Sequence, residues 1–248
     1  MTSREATSFL PRATDQDDAA PWRRSALDWA MLLGIGAVQW PWLVRSLWGG
    51  RRRDKAALLE RLDLPPHALP KLGSWKADVG FLVSIVDHIA LHRPAEVVEL
   101  GAGASTLVAA RALQRHGEGH LTAFDQHLDF VEAVRHWLQD HQLAAQVRHA
   151  PLVRAEAPWP GLWYALDHLP EQIDLLIIDG PPWTLHPLVR GSAERLFDRI
   201  APGGTVMLDD AARPGERIVA GRWRKRWPDF EWRMVKGIKG TLIGVRRP

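Results

Sequence analysis

The residues best suited to chemistry stand at the ends of apolar runs. Glu99, Gly101 and Gly103 occur together in "VVELGAGAST", while Asp125, Asp179 and the pair Asp209 and Asp210 close later runs. Two glycines one residue apart let a chain turn tightly and let a ligand approach its backbone. A helix beginning just after them points free amide groups at that ligand. Dinucleotide phosphates are held this way, but the third glycine of that pattern is missing, because Thr106 stands where Gly or Ala would allow close strand-to-helix packing. Glu99 would also be an awkward neighbour for a pyrophosphate. An acid just before the loop suits a cofactor that carries positive charge.

The elements that must position these residues alternate between strand and helix from residue 78 onward. "FLVSIVDHIALH" carries Leu82, Ile85, Val86 and Ile89 at helical spacing, and "EVVEL" follows as a short buried strand. "STLVAARALQRH" predicts a helix with Ser105 or Thr106 near its cap, and "HLTAFD" a second strand ending at Asp125. Phe130, Val131, Val134, Trp137 and Leu138 make the next helical face. "AQVRHAPL", "IDLLIID" and "GGTVMLDD", the last behind the turn "APGG", predict three more strands, and "FEWRMVKG" with "GTLIGVRR" a closing antiparallel hairpin. The fold class is therefore α/β: an open, mostly parallel, Rossmann-like sheet of seven strands with a C-terminal antiparallel hairpin and an N-terminal helical extension. Ligands in such sheets bind outside the carboxyl ends of the strands, where Glu99, Asp125, Asp179 and Asp209 fall.

On these residues the sequence resembles the class I S-adenosylmethionine-dependent methyltransferases over about residues 75–247. Glu99, Gly101 and Gly103 match that family's acidic residue and G-x-G, and Asp125, 24 residues after Gly101, matches the acid at the end of its second strand. The resemblance implies S-adenosylmethionine as cofactor, with Glu99 near its methionine part and Asp125 on the ribose hydroxyls. Gly101, Ala102 and Gly103 would give its backbone room beside Ser105, Thr106 and Gln126, with Pro151 and Leu152 near the adenine and Asp179 closing the site. Residues 209–210 resemble the acidic pair of the catechol O-methyltransferase-like branch, which implies Asp179, Asp209 and Asp210 as ligands of Mg2+ and as aids to O-methylation. That branch carries a lysine shortly after the strand-four aspartate. Here Gly180, Pro181, Pro182 and Trp183 follow, so His186 becomes the nearest candidate general base beside catalytic Asp179 and Asp209. "DGPPW" is also similar to the "DPPY" of amino methyltransferases, with a glycine inserted, which leaves N-methylation of an amine or base as an alternative. A cofactor fold retained only to bind a partner or membrane is the non-enzymatic alternative.

Composition narrows the setting. The chain has 248 residues, and 32 basic against 29 acidic side chains give a net charge of +3, too small to argue for nucleic acid, so no DNA is expected. No cysteine is present, which excludes disulfides and thiolate chemistry and fits a cytoplasmic setting. Residues 1–24 read as a disordered polar tail, 25–74 as the helical extension and 75–248 as the methyltransferase domain. In the extension "WAMLLGIGAVQWPWLV" is shorter than the roughly 20 apolar residues that span a bilayer. Its spacing suits a helix packed on the domain itself or on a partner subunit, and its flanking arginines and tryptophans, with "GGRRRDK" behind it, leave peripheral membrane contact through residues 25–55 as the alternative. Arg217, Arg222, Arg224, Lys225 and Arg226 read as a solvated helix face over inward-packing Trp223 and Trp227. The acceptor expected is a small molecule or glycan.

Overall fold

Short β-branched runs bounded by turn residues form the strands, and apolar residues three and four positions apart form the helices between them. The computed structural model describes residues 24–248 except Trp75 and Lys236. The tail expected over residues 1–24 therefore lies outside the described residues, Arg24 apart. Helices α1 (Ala26–Ser46) and α2 (Arg52–Arg61) make the extension, and α3 (Val79–His92) leads into the sheet. Strand β1 (Glu96–Leu100), α4 (Ala104–His116), β2 (His120–Asp125), α5 (Leu128–Asp140) and β3 (Gln146–His149) follow. A separate antiparallel ribbon, β4 (Leu152–Arg154) with β5 (Leu162–Tyr164), precedes β6 (Ile173–Ile178). A 3₁₀ segment (Val189–Arg199) crosses to β7 (Ile200–Leu208), and α6 (Pro214–Arg226), β8 (Phe230–Val235) and β9 (Thr241–Arg246) finish the chain.

The seven-stranded sheet has the order β3-β2-β1-β6-β7-β9-β8, parallel from β3 to β7, with β9 antiparallel to both neighbours. Register is what brings the acids together. Leu100 pairs with Phe124 and with Ile178, and Ile178 pairs with Leu208. Gly101, Asp125, Asp179 and Asp209, each the last residue of a strand or the one just past it, thus share one row at the carboxyl edge of the sheet. The expected turn "APGG" is instead absorbed at the start of β7, where the pairing shifts between Ile173 and Leu175.

Two apolar layers hold the sheet. On one face α3, α4 and α5 contribute Phe81, Leu82, Ile85, Leu107, Val131 and Trp137, and α2 joins the same core through Leu58 and Leu59, so the extension is fused to the domain. On the other face Phe197 and Trp223 stack among Trp227, Phe230 and Trp232, with Trp223 fully buried. The cations expected on the outer side of α6, Arg217, Arg222, Arg224, Lys225 and Arg226, are exposed.

Candidate active site

Two backbones cross at the carboxyl edge. The amides of Asp179 and Gly180 both donate to the Leu100 carbonyl, at 2.8 and 2.7 Å, and the Gly101 amide donates to the Phe124 carbonyl. A Cβ on Gly101 would lie 2.6 Å from the Gly180 nitrogen, and a Cβ on Gly180 would lie 2.1 Å from the Tyr164 hydroxyl. Gly101 also has φ of +96°, a conformation that favours glycine. "ELGAG" and "IIDGPPW" are therefore two sides of one contact, and both need glycine to make it.

Beside this crossing lies a cavity of about 480 Å3 lined by Gly101, Ala102, Gly103, Asp125, Gln126 and Asp179 among the expected residues. Asp125, Asp179 and Asp210 put three carboxyl groups on the cavity wall, and Glu99 lies behind the glycine loop, outside the lining. Glu99 is fully buried and accepts a 2.6 Å hydrogen bond from Thr106 on its Oε2, while Oε1 has no hydrogen-bond partner. Burial pushes its carboxyl up to about 8, against the hydroxyls of Ser105 and Thr106, with Asp179 and Asp125 adding to the rise. Asp125 accepts from the His127 amide at 3.0 Å, and burial pushes it up to about 7 despite that and neighbouring backbone donors. Thr106 Oγ1 accepts from the Gly103 amide at 2.8 Å, so α4 is capped from inside its first turn and Gly103, not Ser105 or Thr106, is the cap residue. Ser105 and Thr106 are buried behind the loop and, like Glu99, do not line the cavity. An acidic lining beside the glycine loop suits a ligand that brings positive charge and hydroxyl donors.

Pro151 and Leu152 do not line the cavity. Leu152 pairs with Tyr164 in the β4–β5 ribbon, and that ribbon brings Tyr164 to the cavity wall instead. Tyr164 is buried and its hydroxyl has no partner. Burial, with Asp125 next, holds its phenol well above the ordinary range, so it stands as a neutral donor. It is the one tyrosine in the chain, and a lone buried phenol beside three acids was the available signal.

Asp179, Asp209 and Asp210 converge, with one oxygen of each within 4.8 Å of the others. The cation that meets them is supplied by the chain. Arg190 donates to the Asp179 carbonyl and approaches its Oδ1 at 3.5 Å, and it lies 3.2 Å from Asp210 Oδ2. Arg213 reaches Asp210 Oδ1 at 2.9 Å, and Lys239, from the turn between β8 and β9, lies 3.5 Å from Asp210 and 3.8 Å from Asp209. Glu216 joins at 4.0 Å from Arg213. Burial raises Asp210, but Lys239, Arg213 and Arg190 outweigh it and hold that carboxyl below its ordinary value. Burial, then the neighbouring Asp210, holds Asp209 well above its own, and neither of its oxygens has a hydrogen-bond partner. Four acids, Asp179, Asp209, Asp210 and Glu216, thus face three cations, Arg190, Arg213 and Lys239. A divalent metal does not fit this arrangement: it would have to displace Arg190 or Lys239, and Asp209, fully buried, does not line the cavity.

His186 does not reach the cavity either. Its Nδ1 accepts from the Leu188 amide at 3.1 Å, and its Nε2 lies 3.7 Å from Asp28 on α1. Burial lowers its pKa against the opposing pull of Asp28, so the ring is a neutral support for α1. Arg24 adds a 3.0 Å hydrogen bond to the Thr184 carbonyl, and Trp183 lies under Gly36. Leu43, Ser46 and Leu47 of the extension then form the cavity's outer wall. Sequence reasoning missed Arg190, Arg213 and Lys239 because no local motif joins them; they come from three separate loops and segments.

Residues 98–211 match the family model of a methyltransferase domain. No curated protein matches the chain in sequence. Among solved structures, the chain is similar to an O-methyltransferase from Bacillus cereus in complex with SAH, at 14% identity and a TM-score of 0.54 over 88% of this chain and 100% of that one. It is also similar to SAH-bound methyltransferase PaMTH1 from Podospora anserina, at 11% identity and 0.54 over 92% and 99%. A third is the O-methyltransferase TomG from Streptomyces achromogenes, involved in tomaymycin synthesis and solved in complex with SAM, at 16% identity and 0.51 over 86% and 96%. Sheet order, the acid-and-glycine edge and the matched segment agree: residues 98–211 are similar to a methyltransferase domain, and the chain has the fold of the class I, S-adenosylmethionine-dependent methyltransferases.

Proposed function

We propose that the protein transfers a methyl group from S-adenosylmethionine to a hydroxyl of a small molecule, with Asp179 taking the hydroxyl proton and no metal taking part. The observation that carries this reading is the position of Asp179. It stands at the cavity wall, next to the glycine crossing and on the acceptor side lined by Pro182 and Trp183. When bound, S-adenosylmethionine supplies a methyl group already activated on a positively charged sulfur, so the protein needs chiefly to orient the acceptor and receive its proton.

Asp125 offers carboxylate oxygens to the cofactor's ribose hydroxyls, Glu99 braces the loop from behind through Thr106, and Gly101–Gly103 let the cofactor lie against backbone. Burial raises the Asp179 carboxyl, partly offset by Arg190 and then Lys239, which makes it a better proton acceptor than an ordinary aspartate. Arg190 fixes its backbone and side chain. Tyr164, with a free hydroxyl at the same wall, is placed to donate to the acceptor. The hydroxyl acceptor is further supported by the O-methyltransferases of Bacillus cereus and Streptomyces achromogenes that share the fold.

The test is turnover on hydroxylated acceptors, measured as S-adenosylhomocysteine formed, for the native chain and Asp179→Asn. A lost general base predicts a fall of about 10²–10⁴-fold in kcat with cofactor affinity kept within a fewfold. Undiminished turnover by Asp179→Asn, or a methyl found on nitrogen, overturns the proposal.

A further inference from the structure

Helix α1 has two apolar faces, and among the described residues only one is covered. From Trp29 to Val44 the one side chain with an amide or charge is Gln39, and it points inward, fully buried. The inward face packs on the domain, and α1 meets α6 there. The outward face carries Trp29, Leu33, Val38, Trp40, Val44 and Trp48, each between 47% and 67% exposed. Single exposed apolar residues are ordinary, but a continuous strip along a 21-residue helix marks a binding surface. A helix that is apolar all round is normally buried on all sides.

Charge identifies the occupant. Arg45, Arg51, Arg52 and Arg53 are exposed at the carboxyl end of the strip, with Asp54 the nearest acid. Cores of protein interfaces are depleted in charge, whereas tryptophans beside arginines suit the boundary between acyl chains and phosphates. Among the described residues no helix is long and apolar enough to cross a membrane, so a helix lying in the surface is the geometry available. The strip also runs into the cavity: Leu47 is exposed at its end and lines the cavity together with Leu43 and Ser46.

We propose that α1 docks the protein on an anionic lipid bilayer, its tryptophan strip in the headgroup and acyl boundary and Arg45 with Arg51–Arg53 on lipid phosphates, so that the cavity mouth at Leu47 opens toward the membrane. The docking stands independently of the reaction. Its consequence, that the acceptor is an amphipathic hydroxyl compound drawn from the bilayer, rests on the hydroxyl-methylation reading above.

Flotation of the full chain with phosphatidylglycerol vesicles tests the docking. The native protein is expected to float with them, less so at high salt, and weakly with phosphatidylcholine alone. Leu33→Gln with Trp40→Gln should abolish flotation, and replacing Arg51, Arg52 and Arg53 by Gln should weaken it roughly fivefold per arginine removed. Circular dichroism and S-adenosylhomocysteine binding, unchanged in both variants, show that they fold. Failure of the folded native protein to float overturns the docking, as does a native dimer that Trp40→Gln turns into monomer, since a second copy would then cover the strip. Flotation without methylation of any hydroxyl lipid would sink the acceptor reading and leave the docking intact.

Discussion

Replacing Arg190 by Met tests whether the buried charge cluster holds the acceptor side together. Arg190 is 5% exposed. Its guanidinium reaches the Pro181 and Asp209 carbonyls at 3.2 and 3.3 Å, besides Asp179 and Asp210. Methionine fills similar volume and leaves those acceptors unpaired. Removing one partner of a buried ion pair costs about 3–5 kcal/mol. Asp210 keeps Arg213 and Lys239, so the lower end applies, about 3 kcal/mol, or a fall in Tm of roughly 6–12 °C for a chain of this size. The pH dependence gives a second reading. Without its nearest cation the Asp179 carboxyl rises further above its unfolded value. A carboxyl raised on folding costs stability as pH climbs from the unfolded toward the folded pKa, so the penalty should be largest at pH 7 and shrink toward pH 5 as Asp179 takes up a proton. Urea unfolding at both pH values measures it. A loss below about 1 kcal/mol at pH 7, or a penalty that grows toward pH 5, refutes the reasoning.

Other outcomes follow from the same geometry. Glu99 and Asp125 sit at about 8 and about 7 in the free protein, against ordinary values of 4.5 and 3.8, so its Tm should fall as pH rises from 5 to 8.5. The stabilisation by S-adenosylmethionine should grow over the same range, and a pH-independent ligand shift in differential scanning fluorimetry would count against both assignments. Turnover should be unchanged by 1 mM EDTA, on the order of magnitude that strips weakly held Mg2+, and a loss restored by Mg2+ would show that the metal displaces Arg190 or Lys239. Gly180→Ala drives a methyl into the Tyr164 hydroxyl and Gly101, so it should lose about 1–3 kcal/mol in urea unfolding and bind cofactor measurably more weakly by calorimetry. His186→Gln should keep kcat within about threefold, because the ring faces Asp28 and the catalytic effect expected of a general base is far larger.

What could be read along the chain was whatever depends on neighbours in sequence. The strand ending at Leu100, the glycine loop, and Asp125 at the close of β2 were legible because apolar runs, turn residues and spacing are local. The seven strands and the parallel order followed from alternation. The start of β7 was not legible, since Gly203 and Gly204 look like a turn, whereas Ile200 before them already pairs with Ile173 and the register to β6 resumes at Thr205 after them. Nor was the β4–β5 ribbon, three residues a side, which carries Tyr164 in place of the expected Pro151 and Leu152 contacts. Asp179 was identified as a site residue, but the reason for Gly180 was not: its role is a contact with Gly101, 79 positions away. The carboxylate trio suggested a metal because the cations that meet it come from Arg190, Arg213 and Lys239, which sequence spacing does not connect.

Calorimetric titration of the folded protein with S-adenosylhomocysteine tests the central claim, that the Glu99–Gly103 loop and Asp125 hold the cofactor at the carboxyl edge of the sheet. One molecule should bind per chain. Asp125→Ala, with an unchanged circular dichroism spectrum, should weaken it at least about tenfold, the loss expected when hydrogen bonds to a charged group are removed. Absence of binding to the native chain, or native affinity in Asp125→Ala, would contradict the account.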